Sequence, residues 1–420
     1  MFFGDIMLFI NRVIWLFCTS FILICGLFYS FKFKGIQFRF LSMFRSVFCN
    51  GSFGVLMTSL AGRIGVGSIA GVCLSIYVGG VGSIFWMWIS TFFCSIISYI
   101  EVVLGVKYKV FFGDFSYGGP AYYMRDGLRN RFLGGIYSVL IIVSYIGCFL
   151  SIQSNTIARS LVGVFPFRVG VIALFICIVT FFCISGGFKK IVGVCMKLVP
   201  IMSFIYIGSA IVVLVFNFDR IGSVFLDVFR SAFNFSSFFG GFIPMFVVGV
   251  QRGIFSNEAG IGTSSIVCAS GSSDDFSSLG YSQMFGVYVT SFVICTATAI
   301  IILFSDYGSL ILSDVNGIEL AGYAFKYHFG DLGLYILIVS IILFSFSTII
   351  TGYYYGESSF NYFFSRLDIK YIYLLRFVTL VILFLGCIVS SRFLWDIVDI
   401  LVGVVVLINL YAIWKLKDDV

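Results

Sequence analysis

Charged residues and histidine are scarce in this chain, and each scarcity excludes a class of protein. Only 11% of the 420 residues are charged, while 60% are hydrophobic and the mean hydropathy is +1.10. Soluble globular domains carry about 25% charged residues, so this composition indicates an integral membrane protein. The single histidine, His328, excludes a His-rich metal site and argues against a His-based catalytic triad. We therefore expect neither an enzyme nor a bound cofactor.

The chain also lacks the cysteine spacing of a metal or disulfide scaffold. It has 12 cysteines, but no C-x-x-C motif occurs. Cys18, Cys94 and Cys177, among others, lie inside apolar runs, where free cysteine packs as a small hydrophobic residue.

Long apolar runs are abundant instead. A helix needs about 20 residues to cross the hydrocarbon core of a bilayer, and eleven suitable runs recur from end to end. They lie at about 9–30, 52–75, 82–107, 133–154, 169–186, 199–217, 238–269, 284–305, 333–356, 372–389 and 394–414. The runs are apolar throughout, which predicts an all-α integral membrane fold with about 11 transmembrane helices. No charged leader segment precedes the first run, so we expect it to be a retained span.

Basic residues are distributed unequally between the two ends of these runs. Seventeen fall on one face of the predicted membrane and seven on the other, and positive charge is retained in the cytoplasm. This bias predicts an external N-terminus and a cytoplasmic C-terminus. It also accounts for the net charge of +7 without a nucleic-acid partner. The basic and aromatic stretch 32–41 is either a plain juxtamembrane segment or a site for anionic lipid.

Two runs are interrupted by glycine-rich polar segments, at 62–71 and 252–262. Such segments free backbone groups in the membrane, where they must line a cavity or bind a ligand. The interrupted runs are five spans apart, an odd number, so the second copy is inverted relative to the first. This layout is typical of secondary transporters. Close helix packing is the alternative; Gly67 and Gly71 have the required four-residue spacing, whereas most of the other glycines do not.

Several blocks then resemble one known family, the alanine-or-glycine:cation symporters. They are Gly65-x-Gly67-x-Ile69-Ala70-Gly71, Gly118-Gly119-Pro120, Gln153-x-Asn155, Gly253–Gly262, Phe344-x-Phe346-Ser347-Thr348-Ile349 and Trp395-Asp396. The resemblance implies a leucine-transporter-type fold, a five-plus-five inverted repeat with one extra N-terminal helix. It divides a single transport domain into the extra helix and a basic segment (1–45), two five-helix repeats (46–217 and 218–390), and a final helix with a cytoplasmic tail (391–420).

The resemblance also implies a function and a location. The chain is expected to carry a small neutral amino acid, similar to alanine or glycine, with sodium as co-substrate. We expect a monomer in the lipid bilayer of a bacterial inner membrane. The alternatives are a sodium-independent exchanger or facilitator and an amino-acid sensor that does not transport.

Residues of the expected sites follow from the matching blocks. The expected substrate-binding residues are Gly65, Gly67, Ser68, Gln153, Phe255, Asn257, Thr348 and Gly352. A sodium site is expected at Gly62, Gly65, Ser347 and Thr348. For Gln153, an interhelical hydrogen bond is the alternative to substrate binding. For Ser347 and Thr348, hydrogen bonds to carbonyls of their own helix are the alternative to sodium binding.

Three further residues or pairs carry hypotheses. Arg63 replaces the threonine common in the family, and it either stands in for the coupling cation or pairs with a carboxylate or snorkels to an interface. Gly352 replaces a tryptophan, which predicts a larger pocket. Arg252 and Glu258 are predicted to form a structural or gating salt bridge.

Overall fold

The computed structural model of this chain describes residues 2–49, 51–113, 115–234, 241–308, 317–364, 369–389 and 391–420. Within these ranges the backbone is mostly helical, because a helix satisfies its own peptide groups in hydrocarbon. One short hairpin joins β1 (Val110–Phe112) to β2 (Phe115–Tyr117), with Val110 opposite Tyr117. The predicted all-α class is confirmed.

Long and short helices alternate along the chain. In the first half they are α1 (Phe2–Lys32), α2 (Phe40–Val47), α3 (Ser52–Arg63), α4 (Val72–Gly79), α5 (Ser83–Lys107), α6 (Pro120–Asp126), α7 (Arg131–Ile142), α8 (Leu150–Val162), α9 (Val169–Ile184) and α10 (Gly187–Phe216). In the second half they are α11 (Ile221–Ala232), α12 (Ile243–Asn257), α13 (Thr263–Ala269), α14 (Phe276–Tyr288), α15 (Thr296–Leu303), α16 (Gly317–Phe329), α17 (Asp331–Asn361), α18 (Ile369–Gly386) and α19 (Ser391–Lys415). π-Helical segments at Val143–Phe149 and Val289–Cys295 join α7 to α8 and α14 to α15.

Seven helical segments of the described ranges are long and apolar enough to cross a membrane. They are Ile6–Lys32, Ser83–Lys107, Arg131–Val162, Gly187–Phe216, Phe276–Leu303, Asp331–Asn361 and Leu394–Lys415. An eighth crossing results if α2 and α3, which meet at 103°, count as one. The other predicted runs form the broken segments α3–α4 and α12–α13 and the shorter helices α9 and α18. The protein is therefore multi-pass, and eleven crossings stay a prediction.

Helix α5 forms the centre of the described structure. It packs against α1, α12, α13 and α14, and most of its residues are buried. Glycines permit these close approaches: a Cβ on Gly249 would lie 2.4 Å from Ser83 O, and one on Gly105 would lie 2.6 Å from Ser265 Cβ. Both halves of the second broken segment are therefore fixed against a rigid central helix.

Helices α1 and α19 are paired although they lie at opposite ends of the chain. The Trp15 indole donates to Asp399 O at 3.0 Å, and the Tyr29 hydroxyl donates to Ile413 O at 2.8 Å. Helix α1 also contacts α12. The predicted extra helix thus packs on the last helix and on the second broken segment.

Some sequence predictions lie outside the described residues. Arg366, one of the seventeen basic residues on the predicted cytoplasmic face, lies outside them. Residues 238–240 and residue 390, a predicted unit boundary, also lie outside them. The side chain of Arg392 is also outside this description.

Candidate functional site

The first predicted interruption is a break between helices. Helix α3 ends at Arg63, residues 64–66 belong to neither neighbouring helix, and a π turn at Gly67–Gly71 leads into α4. The prediction is confirmed. Carbonyls at the end of α3 and amides after it are left without regular helical partners, so they are available to side chains or ligands.

The second interruption separates α12, which ends at Asn257, from α13, which begins at Thr263. Among the five intervening residues, Glu258, Gly260 and Gly262 have φ angles of 56°, 92° and 97°. Glycine adopts this left-handed region without a steric penalty, which explains its two occurrences here. The structure confirms the interruption and confines it to these five residues.

The C-terminal end of α12 contacts the first break. Ser68 Oγ lies 2.9 Å from Ser256 Oγ, and a Cβ on Gly67 would lie 3.8 Å from the Phe255 ring. We call this contact the junction. It brings together Gly67, Ser68 and Phe255, three of the residues expected to bind substrate.

Gln153, on α8, reaches the first break from the side. Its Oε1 accepts a hydrogen bond from Val66 N at 3.3 Å, and a Cβ on Gly65 would lie 3.3 Å from its Nε2. Val66 N is one of the amides released by the break. The interhelical hydrogen bond predicted as one alternative is therefore present, with Nε2 facing Gly65.

Ser347 and Thr348, near the middle of α17, turn their hydroxyls towards the end of α3. Ser347 Oγ lies 3.0 Å from Ala61 O, and Thr348 Oγ1 lies 3.1 Å from Ala61 O and 3.3 Å from Gly62 O. Both hydroxyls also approach Phe344 O of their own helix, at 2.8 and 3.0 Å, so both predicted kinds of contact occur. We call the oxygens of Ala61, Gly62, Ser347 and Thr348 the oxygen cluster.

The predicted salt bridge between Arg252 and Glu258 is wrong. Glu258 accepts hydrogen bonds from Tyr145 at 2.7 Å, Thr263 at 2.8 Å and Tyr355 at 3.3 Å. A helix turns 100° per residue, so residues six apart do not share a face. Glu258 also lies beyond the end of α12, where the left-handed backbone redirects its side chain.

Arg252 binds Asp399 of α19 instead. The two Nη atoms lie 3.1 and 2.6 Å from the two carboxylate oxygens, a bidentate geometry that adds directional specificity to the charge attraction. Gln251 and Asn11 donate to Oδ2 of the same carboxylate at 3.1 and 3.3 Å. Arg252 is 7% exposed and Asp399 is 3% exposed. This buried ion pair joins α1, α12 and α19.

Arg63 points away from the oxygen cluster. Its Nη1 donates to Gln283 O at 3.1 Å, and Nη2 donates to Ser98 Oγ at 3.2 Å and to Ser264 Oγ. These acceptors lie on α14, α5 and α13. The hypothesis that Arg63 replaces a cation at Ser347 and Thr348 is therefore wrong. Consecutive helical residues face directions 100° apart, so Arg63 and its neighbour Gly62 reach different helices.

The space predicted beside Gly352 is filled. A Cβ at this position would lie 2.9 Å from Leu150 Cδ1 and 3.4 Å from Tyr145 Cδ1. The absence of tryptophan therefore does not enlarge a pocket, because Leu150 occupies the volume, and the prediction of a larger pocket is wrong. A ring at this position would overpack the contact.

The side chain of Asn257 is used within the second break. Its Oδ1 accepts from Ala259 N at 3.0 Å, and its Nδ2 donates to Ser291 Oγ at 3.2 Å. Both ends of the amide thus hold the broken backbone in place.

A cavity of about 1120 Å³ opens beside the first break. Its lining includes Val66, Ala70 and Gly71 of the broken segment, together with Arg252 and Trp395. It is large enough for a small ligand, since such sites typically enclose about 300–1,000 Å³.

Aromatic rings lie between this cavity and the junction. Phe255 stacks on Phe149 with ring centroids 5.2 Å apart, and its ring lies 5.8 Å from that of Trp395. The Arg252 guanidinium lies 5.5 Å from the Phe255 ring centroid. The buried ion pair and the aromatic layer therefore form one connected unit.

Several residues of this arrangement were not among the predicted site residues, and Ala61, Tyr145, Tyr355 and Asp399 illustrate why. Ala61 contributes a carbonyl, which every residue carries, and Tyr145 and Tyr355 belong to a chain with 23 tyrosines, so none of them stands out. Asp399 is different, because a carboxylate inside an apolar run marks a functional or paired charge by default. The position of Asp399 inside an apolar run was therefore sufficient to mark it as a candidate site residue.

Known proteins resemble this chain over nearly its full length. It is 35% identical over 426 residues to the amino-acid carrier protein AlsT of Bacillus subtilis, covering 99% of this chain and 90% of AlsT. It is 34% identical over 406 residues to the probable sodium/glutamine symporter GlnT of Bacillus subtilis, covering 94% and 84%. It is also 34% identical over 382 residues to the sodium/alanine symporter AgcS of Methanococcus maripaludis, covering 88% and 82%.

A solved structure shares the fold. The manganese transporter of Eremococcus coleocola, in complex with an aromatic bis-isothiourea substituted compound, superposes with a TM-score of 0.56. The match covers 86% of this chain and 76% of that chain at 14% identity, so it shows the fold alone.

The family profile decides the assignment. The profile of the sodium:alanine symporter family matches residues 2–420. Together with relatives of about 35% identity, this match shows that the chain belongs to the sodium:alanine symporter family and is a multi-pass secondary transporter.

Proposed function

We propose that the chain moves a small neutral amino acid, similar to alanine or glycine, across the membrane together with sodium. The observation that carries the proposal is the oxygen cluster, where two hydroxyls of α17 meet carbonyls at the broken end of α3. The names of AgcS and GlnT pair sodium with alanine and with glutamine, which supports the choice of ion and of substrate class.

In this proposal sodium binds at the oxygen cluster, with the Gly65 backbone at its edge. Hard cations select oxygen ligands, and hydroxyl oxygens can present lone pairs when their protons turn away. The C-terminal end of α3 also carries partial negative charge, which favours a cation there. The proposed sodium site therefore consists of Gly62, Gly65, Ser347, Thr348 and Ala61.

The amino acid binds at the junction of the two broken segments. Backbone groups at Gly65 and Gly67 supply donors for a carboxylate and acceptors for an ammonium without a fixed charge. Gly65 O already accepts from Ser68 N at 3.0 Å, and its second lone pair is available to a ligand. The Ser68 hydroxyl and Gln153 Nε2 add side-chain groups, and the Phe255 ring borders the site at Gly67. Thr348 connects this site to the ion, because its hydroxyl occupies the space where a Cβ on Gly65 would lie.

The Arg252–Asp399 pair and the aromatic layer control access to this site. Arg252 and Trp395 line the large cavity, and Phe255 contacts both of them and Gly67. Arg159, which also lines the cavity, belongs to the smaller set of seven basic residues, which the charge bias assigns to the outer face. The cavity is then the external vestibule, and substrate passes the ion pair to reach the junction.

This mechanism assumes the predicted architecture. We propose eleven crossings, with the inverted repeats 46–217 and 218–390 each beginning with a broken segment, and a monomer in a bacterial inner membrane. The positions of the α3–α4 and α12–α13 breaks support this division, since each lies in the first span of its repeat. Rocking of one repeat against the other would expose the site alternately to each side.

Cysteine labelling tests the proposed orientation. An impermeant maleimide added to intact cells should label Tyr327→Cys but not Lys189→Cys, because only the first position faces outside in this topology. Both side chains are exposed, so accessibility differs only by membrane side. Each variant needs the parent protein as control, since Cys49 is also exposed. Labelling of Tyr327→Cys only in inverted vesicles would contradict the topology.

Two glycines provide a matched test of the site. A Cβ on Gly65 would lie 2.5 Å from Thr348 Oγ1, whereas a Cβ on Gly208 of α10, outside the proposed site, would meet no atom within 4 Å. We expect Gly65→Ala to lower sodium-driven uptake by at least about tenfold, the effect of about 1.4 kcal/mol, while Gly208→Ala keeps most of it. Uptake normalised to purified protein measures both. Equal activity of the two variants would show that the Gly65 contact is unimportant.

Counterflow in proteoliposomes tests the function itself. Vesicles loaded with unlabelled alanine should accumulate labelled alanine, and a sodium gradient should drive net uptake. Counterflow without any effect of sodium would favour an exchanger or facilitator. Binding without accumulation would favour a sensor. A panel of amino acids in the same assay defines the substrate.

A further inference from the structure

A second cavity, of about 480 Å³, lies between α7 and the end of α17. Its lining is apolar apart from one arginine and one tyrosine hydroxyl, and it consists of Arg131, Phe132, Gly135, Ile136, Val139, Leu140, Tyr362 and Phe363. We call it the α7 groove. Phe132 is 79% exposed and Val139 is 50% exposed, although both lie in the predicted span Arg131–Val162. Exposed surface on a membrane span faces lipid, so the groove opens to the hydrocarbon.

One basic residue stands at the end of this groove. Arg131 begins the span and is exposed, which places it at the level of the lipid headgroups. Among the ion pairs formed by the described residues, none includes Arg131. Arg125, in contrast, is paired with Asp126 at 2.8 Å and lies over the Tyr122 ring. Arg129 is also exposed and belongs to none of these pairs, but it does not line the groove, whereas Arg131 does. Arg131 is therefore the groove-lining cation that is available to a ligand.

Gly135 leaves the middle of the groove open. A Cβ at this position would lie 3.7 Å from Phe363 Cε1, an ordinary contact distance, so the glycine is not required for helix packing here. Tyr362 and Phe363 form the wall of the groove opposite α7. A hydrogen bond holds this wall in place, because the Tyr362 hydroxyl donates to Arg131 O at 2.8 Å. From Phe132 to Leu140 the helix rises roughly 12 Å, enough for the upper part of an acyl chain.

We propose that the α7 groove binds one anionic phospholipid, with an acyl chain along the apolar wall and the phosphate on Arg131. An apolar surface alone does not favour one lipid over another, because all the lipids of a bilayer carry acyl chains. An arginine at the headgroup level does confer one, since it attracts anionic headgroups. The apolar wall and the arginine together distinguish a phospholipid from a free phosphate ion, which would not need the wall.

Native mass spectrometry of the full-length protein tests this proposal. The purified protein is incubated with equal amounts of phosphatidylglycerol and phosphatidylcholine that carry the same acyl chains. We expect the wild type to retain phosphatidylglycerol about fivefold better, the equivalent of about 1 kcal/mol for one basic residue. Arg131→Gln should lose this preference, whereas Lys189→Gln, which removes an exposed base outside the groove, should keep it.

A second variant and a competitor separate the apolar and charged parts. Gly135→Leu should fill the groove and lower retention of both lipids, while glycerol phosphate, which has no acyl chain, should not displace bound phosphatidylglycerol. An undiminished preference in Arg131→Gln would overturn the proposal. Displacement by glycerol phosphate, or unchanged retention in Gly135→Leu, would overturn the assigned acyl-chain position.

Discussion

Replacing Thr348 by valine is expected to raise the sodium concentration for half-maximal uptake by about 10- to 100-fold, because contacts to charged groups contribute about 1.5–3 kcal/mol. Valine preserves the shape of the side chain but removes an oxygen that lies 3.1 Å from Ala61 O and 3.3 Å from Gly62 O. Uptake of labelled alanine into proteoliposomes at a series of sodium concentrations measures the change.

Two variants control for effects unrelated to sodium. Thr348→Ser keeps the hydroxyl and should retain a sodium dependence near that of the wild type. Ser340→Ala removes another buried hydroxyl from α17, one that donates to Ile336 O of its own helix at 2.8 Å, and should also leave sodium dependence near wild type. Wild-type sodium dependence in Thr348→Val would exclude the oxygen cluster as the sodium site.

Replacing Asp399 by asparagine is expected to abolish most uptake and to lower the free energy of unfolding by about 3–5 kcal/mol, the usual effect of removing one partner of a buried ion pair. The Arg252 guanidinium, which is 7% exposed, would remain buried without a counter-charge. Denaturation of the purified variant and uptake into proteoliposomes measure the two effects separately.

A double variant distinguishes packing from transport. Arg252→Gln combined with Asp399→Asn removes both charges of the pair, so neither is left buried without its partner, and the variant should recover much of the stability but not the uptake if the ion pair works as a gate. Asp331→Asn disrupts an exposed pair with Lys326 at 3.5 Å and should change stability by about 0–1 kcal/mol. Wild-type uptake by the double variant would show that the pair has no gating role.

The position of Arg63 changes what is expected of sodium coupling. Its guanidinium binds Gln283 O, Ser98 and Ser264, so it does not occupy the oxygen cluster. We therefore expect the wild type to depend on sodium. We also expect Arg63→Thr to act mainly on stability, because it removes contacts that join α3 to three other helices.

Local patterns in the chain were sufficient for the membrane class, the helical fold and both breaks. A run of about 20 apolar residues has few stable forms other than a helix in lipid, and dense glycine weakens that helix wherever it occurs. These properties depend on neighbours in the chain. Resemblance to a family added the pairing of Ser347 and Thr348 with the first break, which the structure places within 3.3 Å.

Side-chain partners depended on the packing of distant helices. Arg252 binds a carboxylate 147 residues away and not the one six residues away, and Leu150 fills the space beside Gly352. Such contacts follow from the rotation of each helix about its axis and from its position against its neighbours. A rotation of 100° per residue is enough to direct Gly62 and Arg63 to different helices, and an apolar run carries little information about that angle when polar residues are few.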